Sequence, residues 1–162
     1  MNEAIKYLDE HSISHKHYVH EPVATIEDLD KLPKMDAEIT KNLFLKDKSG
    51  QFILATVGVL KRVDLKELGN SIGSKKLKFA SAEDLKTLLG VEPGAATLLG
   101  LISDTQHAVK VIIDNEIWNG DKPLQCHPLV NSESVTLSRE ALEQFFKATG
   151  HDTHIMSVPS RV

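Results

Sequence analysis

The sequence predicts an α+β fold built around a mixed β-sheet, and three observations favour this class. Short apolar segments typical of strands are interspersed with segments that carry helix-capping residues. Their order lacks the strict strand–helix–strand repetition of a parallel α/β protein. The 162 residues are 41% hydrophobic and contain no repeat or Gly/Ser linker, so we expect a single domain over residues 1–162.

Five segments are predicted to be helices, from apolar residues at helical spacing or from residues that begin and end helices. In chain order they span 2–12, 25–32, 64–69, 81–90 and 138–148. The last four begin at the capping residues Thr25, Asp64, Ser81 and Ser138. They are expected to stop at Pro33, Gly69, Gly90 and Gly150.

Seven segments are predicted to be strands because they are short, apolar or β-branched, and bounded by turn residues. In chain order they span 15–20, 40–47, 52–57, 76–80, 108–114, 134–138 and 153–158. The second and third are joined by the turn sequence KSGQ and are expected to form a hairpin.

Charge is unevenly distributed along the chain, whose net charge is −4. Residues 31–78 hold eleven Lys or Arg and five acidic residues, whereas the segments before and after this one are acidic. A basic middle third can form a positive face that attracts a polyanion, with binding that weakens as salt increases. Chance clustering of solvated lysines is the alternative explanation.

Several classes of protein and site are not indicated. No stretch approaches the roughly 18 apolar residues of a membrane span, and the charged N-terminus lacks a secretion signal, so we expect a cytoplasmic location. The single cysteine, Cys126, excludes an internal disulfide and is expected to be a buried hydrophobe. His15 and His17, or His151 and His154, do not complete a set of metal ligands, so no metal or cofactor is expected.

A Pro-Gly turn lies in the segment Gly90–Thr97, which reads GVEPGAAT. Small residues let the backbone approach a ligand closely. Such a turn can direct consecutive N–H groups at one point and bind an anion or a developing oxyanion. The alternative interpretation is an ordinary connection between a helix and a strand.

Lys41 begins an apolar strand and, by period-two alternation, shares one face with Leu43 and Leu45. Asn42 lies on the other face with Phe44. A lysine at this position can lie at a pocket rim and hold a phosphate. It can equally be an edge-strand lysine that prevents aggregation.

His127 lies in the segment Cys126–Asn131, which reads CHPLVN. The proline that follows restricts the His127 backbone to extended conformations. A histidine held in this way can orient a substrate group or transfer a proton. A half-buried structural histidine is the alternative.

These segments follow one another in a specific order: HEPVATIEDL, KNLFLKDKSGQFIL, GVEPGAATLLGL, an apolar strand, CHPLVN and a capped helix. The order resembles the YbaK/ProX aminoacyl-tRNA editing family over nearly the whole chain. The CHPLVN segment and the length are most similar to its free-standing ProXp-ala branch. The resemblance implies a mostly antiparallel sheet or partial barrel flanked by helices.

The resemblance also implies roles for the residues at which the motifs match. The implied catalytic residues are Lys41, Gly94, Ala95 and His127, and the implied substrate-binding residues are Asn42, Gly90, Pro93, Ala96 and Asn131. The family hydrolyses the ester that joins an amino acid to the terminal adenosine of tRNA, without a metal or a covalent enzyme intermediate. In this family the neighbouring ribose hydroxyl is thought to help activate the water.

The expected substrate is proline tRNA charged with alanine, and prolyl-tRNA synthetase is a further candidate partner. Lys41 would anchor the terminal phosphate or ribose, main-chain N–H groups around Gly94–Ala96 would bind the oxyanion, and His127 would shape a small pocket. Whether His127 also transfers protons is left open. Candidate contacts to the tRNA acceptor stem are Lys61, Arg62, Lys75, Lys76 and Lys78.

Three alternatives remain at this point. The pocket could prefer another misacylated tRNA, such as proline tRNA charged with cysteine. The chain could be a non-catalytic module that binds tRNA or a synthetase. A metal-dependent hydrolase is the third, which persistent activity in excess chelator would exclude.

Overall fold

Two β-sheets form the framework of the structure, a computed structural model that describes residues 2–161. The strands are β1 (Lys16–Val19), β2 (Thr40–Lys46), β3 (Phe52–Gly58), β4 (Lys78–Phe79), β5 (Val109–Asp114), β6 (Leu124–Cys126), β7 (Glu133–Leu137) and β8 (Thr153–Met156). The helices are α1 (Glu3–Glu10), α2 (Leu65–Ile72), α3 (Ala82–Leu89), α4 (Asn115–Trp118) and α5 (Arg139–Thr149). Six-residue 3₁₀ helices span Ile26–Lys31 and Leu98–Ser103.

The larger sheet has the strand order β4–β2–β3–β5–β8. β2 is antiparallel to both β3 and β4, whereas β5 runs parallel to β3 and β8 runs parallel to β5. The smaller sheet, β1–β7–β6, is antiparallel throughout. The predicted α+β class with a mixed, mostly antiparallel sheet is therefore confirmed.

The two sheets meet where the chain enters β2. Glu38 forms a parallel bridge with Leu124 of β6, and its C=O accepts from the Gln125 N–H at 2.9 Å. The Thr40 N–H donates to the Gln125 side chain at 3.2 Å, and the Thr40 hydroxyl donates to the Gln125 C=O at 2.6 Å. This junction joins the sheets along one edge without closing them into a barrel.

Alternation along the central hairpin builds an apolar core on each face of the larger sheet. Phe44 and Leu54 belong to the larger core, which includes residues of α1, α3 and α5. Leu45, Ile53 and Val57 belong to the smaller core, which includes Leu68 of α2. Burying each such side chain stabilises the fold by about 1.5–3 kcal/mol. The hairpin is thus held on both faces, which fixes its register.

Several elements differ from the sequence prediction. The helix predicted over 25–32 is a 3₁₀ helix, and the strand predicted over 76–80 is reduced to Lys78–Phe79. The 3₁₀ helix Leu98–Ser103 was not predicted, and neither were α4 and β6, which are only four and three residues long. Elements this short are too brief to show a helical or strand period. Among residues 2–161, no helix is long and apolar enough to cross a membrane.

The predicted end of α2 at Gly69 is wrong. The helix continues to Ile72, and Gly73, with a positive φ of 72°, ends it. This position inside the helix is occupied by glycine because a Cβ there would lie 2.5 Å from the Ser74 main-chain oxygen. Its missing side chain permits the chain to fold back after the helix, and the Ser74 N–H donates to the Gly69 C=O.

We predict that Gly69→Ala destabilises the protein, although alanine is normally favoured over glycine in helices by about 1 kcal/mol. The contact with the Ser74 oxygen should reverse this preference and lower the free energy of unfolding by roughly 1–3 kcal/mol. Urea denaturation measures the change, with the exposed helical variant Asn70→Ala as the control. Equal or greater stability of Gly69→Ala would contradict the geometry.

Candidate active site

A cleft of about 320 Å³ opens at the junction of the two sheets. Its apolar wall includes Val23, Ile26, Leu29, Leu32, Ile39 and Val59; its polar side chains include Thr40, Lys41, Asn42, Gln125 and His127; and the Pro-Gly turn contributes Gly94 and Ala96. Within residues 2–161, the ladder between β4 and β2 includes only Leu45 and Lys46 of β2, so it does not reach the part of β2 that lines the cleft. Segments far apart in the sequence thus meet around one cavity.

Lys41 lies half-buried in the cleft wall. Burial lowers the pKa of its ammonium below the usual range, and the positive charge of Arg62 lowers it further. None of the ion pairs among residues 2–161 includes Lys41. A partly desolvated cation without a carboxylate partner is suited to bind an anionic group such as a phosphate.

The Pro-Gly turn supplies main-chain donors to the cleft. Gly94 has a positive φ of 90°, a conformation that favours glycine, and it lines the cleft together with Ala96. The Ala95 N–H donates instead to the Glu92 C=O at 3.0 Å, and the Ala95 side chain is buried. In the described chain, the N–H groups of Gly94 and Ala96 donate to no acceptor. Two of the three predicted oxyanion donors, the N–H groups of Gly94 and Ala96, are therefore available to a ligand, because the Ala95 N–H is bonded within the turn.

Three other predicted site residues lie outside the cleft lining. Gly90 ends α3 with a positive φ of 67° and borders a separate depression beside Ser103. Pro93 is exposed at the turn. The Asn131 C=O accepts from the N–H of Val23 at 3.0 Å and so holds part of the apolar wall. Asn131 therefore acts on the cleft through Val23, whereas Gly90 and Pro93 lie outside its lining.

His127 is positioned by one main-chain contact. Its Nδ1 lies 3.0 Å from the Glu133 C=O, so Nδ1 carries the proton and donates, and Nε2 is left as the free nitrogen. Burial lowers the pKa of His127 below the usual 6.5, an effect that the Glu133 hydrogen bond opposes and His20 reinforces. The cleft therefore presents a neutral imidazole at pH 7.

The predicted tRNA contacts separate into two groups. Lys61 is not a free surface cation, because its ammonium lies 2.7 Å from the buried carboxylate of Asp114 and 3.4 Å from Glu116. Arg62 is exposed near Lys41. Exposed lysines at 75, 76 and 78 lie instead at the far end of β2, where Lys78 pairs with Lys46, roughly 17 Å along the strand from Lys41.

Thr40, Gln125 and the apolar wall were not predicted to be parts of the site. Gln125 is only 2% exposed, in a strand too short to predict. The 3₁₀ helix that carries part of the wall was signalled by the capping box of Thr25 and Asp28, which the structure contains. Its position across the cleft from residues of β2 depends on tertiary structure, which no local pattern in the sequence predicts.

The structure also bears on Cys126 and on the possible metal ligands. Burial raises the pKa of the Cys126 thiol to about 12, so the thiol is protonated at pH 7 and unsuited to act as a nucleophile. Over residues 2–161, no three His, Cys, Asp or Glu side chains form a group that could hold a metal ion.

A family model for the aminoacyl-tRNA editing domain matches residues 20–145, a range that contains every residue of the cleft. The chain belongs to this family. The prolyl-tRNA editing protein ProX of Acetoanaerobium sticklandii is similar at 38% identity, over 91% of this chain and 90% of the relative. Prolyl-tRNA synthetase associated domain-containing protein 1 of Danio rerio is 32% identical, over 85% of this chain and 76% of the relative.

Solved structures with low sequence identity share the editing-domain fold. A structure described as a candidate trans-editing enzyme for prolyl tRNA synthetase superposes with a TM-score of 0.71 at 13% identity, covering 99% of this chain and 97% of the other. A structure described as a hypothetical protein has a TM-score of 0.74 at 17% identity, covering 96% of this chain and 99% of the other.

We predict that NMR titration will give His127 a pKa below 6.5. Because the folded-state pKa is depressed, the contribution of neutral His127 to stability is complete above pH 6.5, declines as the pH falls below it and is lost below the folded-state value. His20→Gln should raise the His127 pKa, since it removes a neighbouring positive charge. A His127 pKa at or above 6.5 in the unmodified protein would contradict this environment.

Proposed function

We propose that the chain is a trans-editing hydrolase that removes alanine from mischarged proline tRNA, with residues 1–162 acting as one deacylase domain. The observation that carries the proposal is the convergence of Lys41, the Gly94 and Ala96 N–H groups and His127 around one cleft. Membership of the editing family and similarity to a protein named prolyl-tRNA editing protein support it.

The reaction is hydrolysis of an ester. Water attacks the carbonyl carbon, and the carbonyl oxygen becomes an oxyanion in a tetrahedral intermediate. The bond to the ribose oxygen then breaks, that oxygen takes up a proton, and alanine and uncharged tRNA are released. The residues lining the cleft include no Asp or Glu that could serve as a strong base. This composition fits activation of the water by the neighbouring ribose hydroxyl.

Each part of the cleft has a role in this scheme. Lys41 holds the terminal phosphate or ribose and sets the position of the ester, with Arg62 adding positive charge at the same end. The N–H groups of Gly94 and Ala96 stabilise the oxyanion, and loss of one such donor typically costs about 3 kcal/mol in the transition state. Neutral His127 shapes the pocket and offers Nε2 as an acceptor.

Selectivity for alanine follows from size. The part of the cleft that the apolar wall bounds would exclude proline, because overpacking costs about 1–3 kcal/mol or more. Glycine is a poorer substrate, since a missing methyl group is worth only about 1–3 kcal/mol. Correctly charged alanine tRNA must be recognised by other features, for which the lysines at the far end of β2 are candidate contacts. Prolyl-tRNA synthetase is the proposed protein partner.

The test is deacylation of proline tRNA charged with alanine, cysteine or serine. We expect alanine to be hydrolysed fastest, because it fills the small pocket without overpacking. Single-turnover rates measure the preference. If alanine were the slowest of the three, the proposed specificity would be wrong.

Lys41→Ala distinguishes an enzyme from a binding module. We expect it to lose hydrolysis by roughly 100-fold or more while the circular dichroism spectrum is unchanged, because the substrate loses its anchor. Lys110→Ala, a half-buried strand lysine outside the cleft, is the matched control and should retain activity. A wild-type protein that binds proline tRNA but hydrolyses no aminoacyl-tRNA would favour the module.

A further inference from the structure

Thr56 is a fully buried polar residue in the middle of β3, 0% exposed. Its neighbours along the strand, Ala55 and Val57, are core residues. Valine has nearly the same shape as threonine, prefers strands equally and needs no hydrogen-bond partner. A hydroxyl here therefore calls for a specific partner, because burying an unpaired one is unfavourable.

The partner is Asn42, a residue of the cleft lining. The Thr56 hydroxyl donates to Asn42 Oδ1 at 2.5 Å. The two residues face each other in the register of β2 and β3. The Val59 N–H donates to the Ile39 C=O, so Asn42 and Thr56 form a non-hydrogen-bonded pair, in which facing side chains are closest.

This contact determines which end of the amide remains free. Asn42 Oδ1 is occupied by the Thr56 hydroxyl, and in the part of the chain that the structure describes the Nδ2 group donates to no acceptor. A side-chain amide has two donors on nitrogen and acceptor capacity on oxygen. With the oxygen held against the core, the donors remain for a ligand in the cleft.

We propose that Thr56 is a positioning residue, which holds Asn42 so that its Nδ2 group donates to the carbonyl oxygen of the bound aminoacyl ester. The inference rests on the proposed function. Asn42 then acts with the N–H groups of Gly94 and Ala96 on the oxygen whose negative charge grows in the transition state. Thr56 touches no substrate, and its effect passes through Asn42.

The test compares Thr56→Val with Thr56→Ser in deacylation of alanine-charged proline tRNA. Thr56→Val should lower kcat by about 10- to 100-fold with little change in KM, because a donor that acts on the transition state is no longer fixed. Thr56→Ser keeps the hydroxyl and should restore kcat to within about 3-fold of wild type. In an Asn42→Ala background, Thr56→Val should have no further effect on kcat.

Thr149→Val is the matched control, since the Thr149 hydroxyl also bonds internally, to the Phe146 C=O and to His151, but outside the cleft. It should leave kcat unchanged. NMR spectra of the Asn42 side-chain NH₂ give a readout independent of activity, and its resonances should move in Thr56→Val but not in Thr149→Val. Thr56→Ala replaces the valine variant if that variant does not fold.

The outcomes separate the two proposals. A wild-type protein without hydrolytic activity would overturn the proposed function. An active wild type with Thr56→Val at full kcat, or with equal losses in the valine and serine variants, would overturn the positioning role alone. The same holds if Thr56→Val still lowers kcat in the Asn42→Ala background.

Discussion

The hydrogen bonds between Thr40 and Gln125 are the contact on which the cleft depends. They join the two sheets at the start of β2, where Thr40 is followed by Lys41 and Asn42. On the other side of the junction, His127 follows Gln125 by two residues. Both residues of the junction are buried, and within residues 2–161 no buried side-chain nitrogen or oxygen lacks a partner. A fully satisfied polar contact fixes the relative position of the sheets, and with it the distance across the cleft.

The cleft combines three kinds of electrostatic group that do not neutralise one another. Among the described residues, Lys41 has no carboxylate partner, the turn offers uncharged main-chain donors, and His127 is kept neutral by burial. An arrangement of this kind binds negative charge at two places, one permanent and one that develops during the reaction. The cleft lining includes no carboxylate that could act as a general base. This composition suits a substrate whose own ribose hydroxyl helps to activate the water.

Local patterns in the sequence predicted much of the fold and part of the site. The alternation of Lys41, Leu43 and Leu45 placed the lysine on the correct face, because strand period is a local property. That the Ala95 N–H is bonded within the turn while those of Gly94 and Ala96 donate to no acceptor in the described chain could not be predicted, since it depends on the bond from Ala95 to Glu92. The pairing of Lys61 with Asp114 spans 53 residues of sequence and is set by tertiary structure.

The most direct measurement is a ¹H–¹⁵N NMR titration with a phosphonate analogue of alanyl-adenosine, whose tetrahedral anionic oxygens resemble the reaction intermediate. We expect the amide signals of Gly94 and Ala96 to shift strongly on binding, whereas that of Ala95, already bonded to Glu92, should shift little. Absence of shifts at the turn, or shifts confined to the lysine-rich end of β2, would contradict the assignment of the cleft as the site of ester hydrolysis.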